Sequence, residues 1–258
     1  MRSGRHGVAW LVCALLCSIS MAHADGLPAG SGSPAPPDWS GLYVGAQGGG
    51  ASASTGWFFP IDSYFTLPNG ERSFGTDPSG GFMGGHVTWN HQIGAIVVGA
   101  ELAINGAMIR DTRIGPFTTL FPNDLFDTSI DGFGTLTGRL GYACDDFLVY
   151  ATGGYARAHA RLRAVSGPPG AGVVGDVKEH LNGWTVGGGI EHMLVENVVI
   201  GVQYDFIRLG GDTTQVATTG TPSTDPFVLT TRDVDMHAVS VRLSLKLDQP
   251  QAGALPLK

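Results

Sequence analysis

Glu101, Arg139, Glu191 and Arg242 are two acids and two bases set in segments that alternate strictly between polar and apolar residues. Val98, Ala100, Leu102 and Ile104 interleave with Gly99, Glu101, Ala103 and Asn105. Leu136, Leu140 and Tyr142 oppose Thr135, Thr137 and Arg139, and Trp184, Val186 and Ile190 oppose Thr185, Gly187 and Glu191. In Ala238 to Leu247, Val239, Val241, Leu243, Leu245 and Leu247 share one face and Ala238, Ser240, Arg242, Ser244 and Lys246 the other. A period of two is the signature of a β-strand with two unlike faces. Gln203 and Asp205 lie on the polar face of a further segment, opposite Val198, Ile200, Val202, Tyr204 and Phe206. If the polar faces look into one enclosed interior, these charges must pair there, because an unpaired buried charge costs several kcal/mol. The chemistry expected of Glu101, Arg139, Glu191 and Arg242, with Gln203 and Asp205, is therefore a salt-bridge network that fills an interior. The alternative is that some of them sit near a mouth and are solvated.

Other reactive residue types are sparse. His86, His91, His159, His180, His192 and His237 show no ligand spacing such as HxxxH, so no metal and no cofactor is expected. Most of these histidines read as solvated or interfacial. Cys144 lies in a predicted turn beside Asp145 and Asp146, whose charges disfavour a thiolate. The glycines follow strand alternation and form no phosphate-cradling loop.

The elements that must carry the charges are eight strands, predicted at Gly41–Ala51, Gly80–Asn90, Ala95–Asn105, Gly132–Tyr142, Phe147–His159, Asn182–His192, Asn197–Ile207 and Met236–Leu247. Their connections alternate between short and long. His91–Gly94, Ala143–Asp146 and Met193–Glu196 are short, whereas the other four run to roughly 20 residues or more, as in Thr213–Thr231. This pattern predicts an all-β fold: an eight-stranded antiparallel up-and-down transmembrane barrel, with short periplasmic turns and long outer loops. Strands of about 11 residues suit a tilted bilayer crossing. Trp89, Tyr142, Trp184 and Tyr204 are expected at the interfacial girdles. The fifth strand is ambiguous, since Tyr150 and Thr152 fall opposite Val149, Ala151 and Tyr155.

Alternation alone would also suit a soluble barrel, and the N-terminus, the loop asymmetry and the lack of an internal disulfide decide between them. Arg2 and Arg5 precede an apolar stretch from Val8 to Met21, and Ala22-His23-Ala24 offers small residues at a cleavage site. Residues 1–24 are read as a cleaved signal peptide, residues 25–38 as a flexible Pro, Gly and Ser-rich leader, residues 39–247 as the barrel and residues 248–258 as a polar tail. Leu16 before Cys17 argues against a lipoprotein signal. Cleavage removes Cys13 and Cys17 and leaves Cys144, which cannot close an internal disulfide. It also leaves thirteen basic against twenty-two acidic residues, a net charge of −9, which argues against a nucleic-acid partner. Forty glycines in 258 residues would suggest low complexity if they did not lie among large apolar residues. In a small curved barrel they let strands coil.

Asp38-Trp39-Ser40-Gly41-Leu42-Tyr43-Val44-Gly45 resembles the first strand of the small outer-membrane β-barrel proteins common in alphaproteobacteria. That group includes opacity-type and porin-like surface antigens and resembles the OmpA transmembrane domain. Gly84–Asn90, Gly138–Tyr142, Tyr150–Gly154 and Gly183–Glu191 match in the same order, so the resemblance spans Trp39 to Leu247. It implies residence in the outer membrane of a Gram-negative cell, among lipid and lipopolysaccharide, after delivery by the barrel-insertion machinery. It also implies roles in envelope integrity and surface interaction, with host surfaces or haem-like ligands as contacts. Trp57, Phe58, Phe59, Tyr64, Phe65, Phe117, Phe121 and Phe126 are the candidate loop anchors. The alternatives are a porin-like diffusion channel and a lipid-modifying enzyme. The enzyme would need a His and a Ser two apart on one lipid-facing strand, whereas His237 and Ser240 are three apart and His192 has no outward hydroxyl near it. One departure from the family pattern is the last strand, which ends at Leu247 and not at an aromatic.

Overall fold

The computed structural model describes residues 37–58, 73–114, 125–165, 173–210, 213–216, 227–231 and 233–247. The signal peptide, nearly all of the leader, the polar tail, and Phe59, Tyr64, Phe65, Phe117 and Phe121 lie outside the described residues. Eleven strands are described: β1 (Gly41–Phe58), β2 (Ser73–Thr76), β3 (Ser79–Ile93), β4 (Ile96–Ile114), β5 (Leu125–Cys144), β6 (Phe147–Val165), β7 (Val173–Val195), β8 (Val198–Leu209), β9 (Thr213–Val216), β10 (Phe227–Thr231) and β11 (Val234–Leu247). Eight of them, β1, β3 to β8 and β11, pair antiparallel with their neighbours, and β11 returns to β1 to close the barrel. Closure satisfies every strand edge within the membrane, where no water can do so.

The register fixes the barrel's size. Following paired residues once round from Val44 leads through Val87, Leu102, Leu136, Tyr155, Trp184, Arg208 and Asp235 to Ser54, ten residues further along β1. Eight strands with that stagger tilt by about 43° and leave a bore that side chains fill. Gly45 shows how tight the bore is. A Cβ added there would lie 2.4 Å from the Leu243 carbonyl oxygen and 2.5 Å from the His86 ring. Only glycine lets His86 cross the strand at that height.

The staves are longer than their apolar alternation. β4 reaches Ile114 where the pattern stops at Asn105, and β7 begins at Val173, nine residues before Asn182. The alternation records lipid contact, whereas strand pairing continues outward after the lipid-facing residues turn charged, as in Arg157, His159 and Arg161 of β6. The long connection Thr213–Thr231 likewise contains a hairpin, with β9 paired to β10, and β10 and β2 pair with the outer end of β1. At the opposite end the turns are tighter than four residues: Gly94–Ala95, Asp145–Asp146 and Glu196–Asn197. Gly94 and Asp145 take positive φ at 61° and 49°, which tight hairpin turns require.

A bulge at Asp131 is the one place where β5 changes parity. Ile130 pairs with Ala160 and Gly132 with the adjacent His159, so Asp131 is left over and exposed. The shift keeps Ile130 buried inside the bore although Phe133 is also inward. The ambiguity of β6 is resolved: Tyr150 and Thr152 point inward and Ala151 and Tyr155 outward.

The lumen as candidate functional site

Seven staves contribute to one polar layer across the bore. Glu101 comes from β4, Arg139 from β5, Tyr150 from β6, Glu191 from β7, Gln203 from β8, Arg242 from β11 and Thr88 from β3, and all are buried. Each reaches the same layer because the strand stagger sets residues far apart in sequence at one height.

Glu101 is the hub. Its Oε2 accepts from Arg242 Nη2 at 2.6 Å and from the Thr88 hydroxyl at 2.8 Å, and Arg139 Nη1 lies 3.7 Å away. Arg139 Nη2 donates to Glu191 Oε2 at 2.9 Å, so the order across the bore is Arg242, Glu101, Arg139, Glu191. The Arg139 guanidinium also sits 3.8 Å from the centre of the Tyr150 ring, a cation–π contact. The Tyr150 hydroxyl donates to Gln203 Oε1 at 2.8 Å, and Arg242 Nη1 donates to the same oxygen. Asp205 joins through Gln203, whose Nε2 donates to both its carboxylate oxygens at 3.0 and 2.9 Å, and among the described residues through no guanidinium. Beside this layer His86 Nε2 meets Ser244 Oγ at 2.8 Å. Among the described residues Arg139 Nε, Arg242 Nε and Glu191 Oε1 have no hydrogen-bond partner.

Two apolar layers flank the charges, so the network occupies the middle of the bore and apolar side chains fill its two ends. On the outer side Phe82, Ile109, Ile130, Phe133, Leu181, Ile207, Leu209 and Met236 pack with several alanines, and Phe82 and Phe133 meet edge to face at 5.1 Å. On the periplasmic side Trp39, Tyr43, Val97, Leu148, Met193 and Val199 form a second cluster against Tyr150. Trp39 is held there by its backbone. Its N–H donates to Gln92 Oε1 at 2.7 Å, and its carbonyl accepts from the Tyr43 hydroxyl at 3.0 Å. Trp39, Tyr150, Thr88 and His86 were not singled out for the interior by sequence. The alternation leaves the face of Tyr150 open, and no residue spacing marks Trp39 for the bore.

The outer surface is a band of exposed large apolar residues that includes Leu102, Leu136, Leu140, Val202, Val241 and Leu243. Trp89, Tyr142, Trp184 and Tyr204 all point outward on it. Toward the outer end Trp184 and Phe206 lie 5.6 Å apart, Phe206 and His237 5.2 Å apart, and the Tyr204 hydroxyl is 2.7 Å from His237 Nδ1. Toward the periplasmic end Trp89 stacks with His91 and Phe147 with His192. Hence five of the six histidines that follow residue 24 lie outside the bore, as expected of most of them, and His86 is buried inside it. His237 is exposed and Ser240 is buried in the bore, so the two face opposite ways.

Residues 11–246 match the outer membrane protein beta-barrel domain family. The chain belongs to that family. It is similar to the 31 kDa outer-membrane immunogenic protein of Brucella melitensis, with 28% identity over 176 residues that cover 67% of this chain and 72% of the relative. Among solved structures it is similar to Neisserial surface protein A, at 13% identity, TM-score 0.38 and coverage of 81% and 98% of the two chains. The outer membrane protein OprG from Pseudomonas aeruginosa gives 13% identity, TM-score 0.48 and coverage of 79% and 96%. This member of the family is thus an outer-membrane protein of a Gram-negative cell, and its apolar band is the lipid-facing surface.

Proposed function

We propose that this barrel is a closed structural protein of the envelope that displays its outer strands and loops for surface contact, and that it neither conducts nor catalyses. The observation that carries the reading is the filled bore. The chain Arg242, Glu101, Arg139, Glu191 spans it, and apolar layers lie on both sides. An ion would have to break buried pairs and cross two layers without polar partners, each step costing several kcal/mol. Purified, refolded protein in planar bilayers is expected to give no steady conductance. Large, reproducible steps would support the porin-like reading instead.

Surface contact is supported by the immunogenic character stated in the Brucella relatives' name and by the strand hairpins beyond the membrane. Grafting the outer segments 59–72 and 115–124 onto another small barrel is expected to transfer binding to whichever surface the intact protein adheres to. Unchanged adhesion of the graft would count against contact through these segments. A lipid-modifying role finds no support in the outward and inward placement of His237 and Ser240.

A further inference from the structure

Above the aromatic band the outward faces of β6 and β7 become basic. Tyr155 pairs across the strands with Trp184, and the successive outward pairs beyond them are Arg157 with Asn182, His159 with His180, and Arg161 with Lys178. Ser129 of β5 pairs with Arg161 on one side and with Arg110 of β4 on the other, so Arg110, Ser129, Arg161 and Lys178 form one row. Arg157, His159, Lys178 and His180 are exposed, and the two imidazole rings touch edge to face at 4.3 Å.

This arrangement is unusual on two counts. Like charges directly opposite on neighbouring strands destabilise a sheet, yet Arg161 faces Lys178. The chain as a whole is acidic, with a net charge of −7, so a basic strip runs against its overall sign. Carboxylates do lie nearby: Asp131 at the bulge beside His159, and Asp127 and Asp176 opposite Arg163 one row further out. Even so, among the described residues Arg157 and Lys178 have no carboxylate within ion-pair distance. The next cation round the barrel, Arg208, differs in this respect, since it holds Asp235 through two bonds of 2.6 Å.

We propose that this strip binds the phosphate groups of a phosphorylated glycolipid in the outer leaflet. Depth is the argument for a lipid. Two residues along a strand tilted by about 43° climb roughly 5 Å, so Arg157 and His159 stand at headgroup height above Tyr155 and Trp184. Acyl chains against Leu136, Tyr155 and Val186 would place the headgroup on these cations, and guanidinium groups match phosphate oxygens in pairs.

The full chain, folded in detergent micelles, is titrated with diphosphoryl lipid A and with the same lipid stripped of phosphate, and retained lipid is read by native mass spectrometry. The diphosphoryl form is expected to bind roughly a hundredfold more tightly. The triple variant Arg157→Gln, Arg161→Gln, Lys178→Gln, verified as folded by its heat-modifiable gel migration, is expected to lose that preference. Arg208→Gln is expected to keep it. Equal binding of the two lipids by the unmodified protein overturns the proposal whether or not the variant folds, as does an unaffected triple variant. Displacement of the lipid by millimolar inorganic phosphate overturns the assignment to a lipid and indicates a simple anion site.

Discussion

Replacing Glu101 by Gln is expected to destabilise the folded barrel by about 3–5 kcal/mol, measured as the shift in urea unfolding of refolded protein. The side chain keeps its volume and an oxygen for the Thr88 hydroxyl, so packing is nearly unchanged. What disappears is the carboxylate between two buried guanidiniums, 2.6 Å from Arg242 and 3.7 Å from Arg139. Arg139 retains Glu191 at 2.9 Å, whereas Arg242 is left with the neutral Gln203 and Tyr150. The loss is therefore chiefly that of a buried cation without its counter-ion. Adding Arg242→Met to Glu101→Gln removes that cation and is expected to restore at least half of the stability, since neutral pairs of similar volume often match buried ion pairs. A single variant within about 0.5 kcal/mol of the parent would mean that the layer is solvated and not a sealed network.

In β4, β5, β7, β8 and β11 the sequence made a residue's face readable but not its partner. In β11 every residue from Ala238 to Leu247 could be placed inside or outside, because the bilayer imposes one chemistry on one face. That Arg242 meets Glu101 and not Glu191 depends on the ten-residue stagger, a property of the closed barrel that no single strand expresses. Tyr150 was ambiguous for a related reason. Its ring serves equally well as a girdle aromatic or as a lumen partner for Arg139, and only the register decides. The outer halves of β4 to β7 escaped notice because their outward residues leave the lipid while their backbones remain paired. The apolar outer layer escaped for the opposite reason: Ala156, Ala158 and Ala160 are too small to mark a face, yet they leave the room that Phe82 and Phe133 fill.

Trp39→Ala is expected to cost about 3–5 kcal/mol, the range for emptying a large aromatic site, while Trp39→Phe keeps most of the stability. Trp39 is fully buried although it precedes the first residue of β1, and it packs on Tyr43, Val97, Leu148, Met193 and Val199. Its neighbours tie this segment across the periplasmic mouth. Ser40 Oγ accepts from the Gln92 backbone N–H at 2.9 Å, Asp38 Oδ1 accepts from the Ser40 N–H at 2.8 Å, and Lys246 Nζ donates to the Asp38 carbonyl at 2.5 Å. These bonds join the start of the barrel to the end of β3 and to the last strand, so the indole is placed by backbone and its burial adds packing energy. Stability and closure should separate in this variant. The charge layer lies above the mouth and keeps its pairs when the indole is gone, so Trp39→Ala is expected to unfold at lower urea yet remain silent in planar bilayers. Steady current through Trp39→Ala would locate the seal at the mouth, and the Arg242, Glu101, Arg139, Glu191 chain would then serve folding alone.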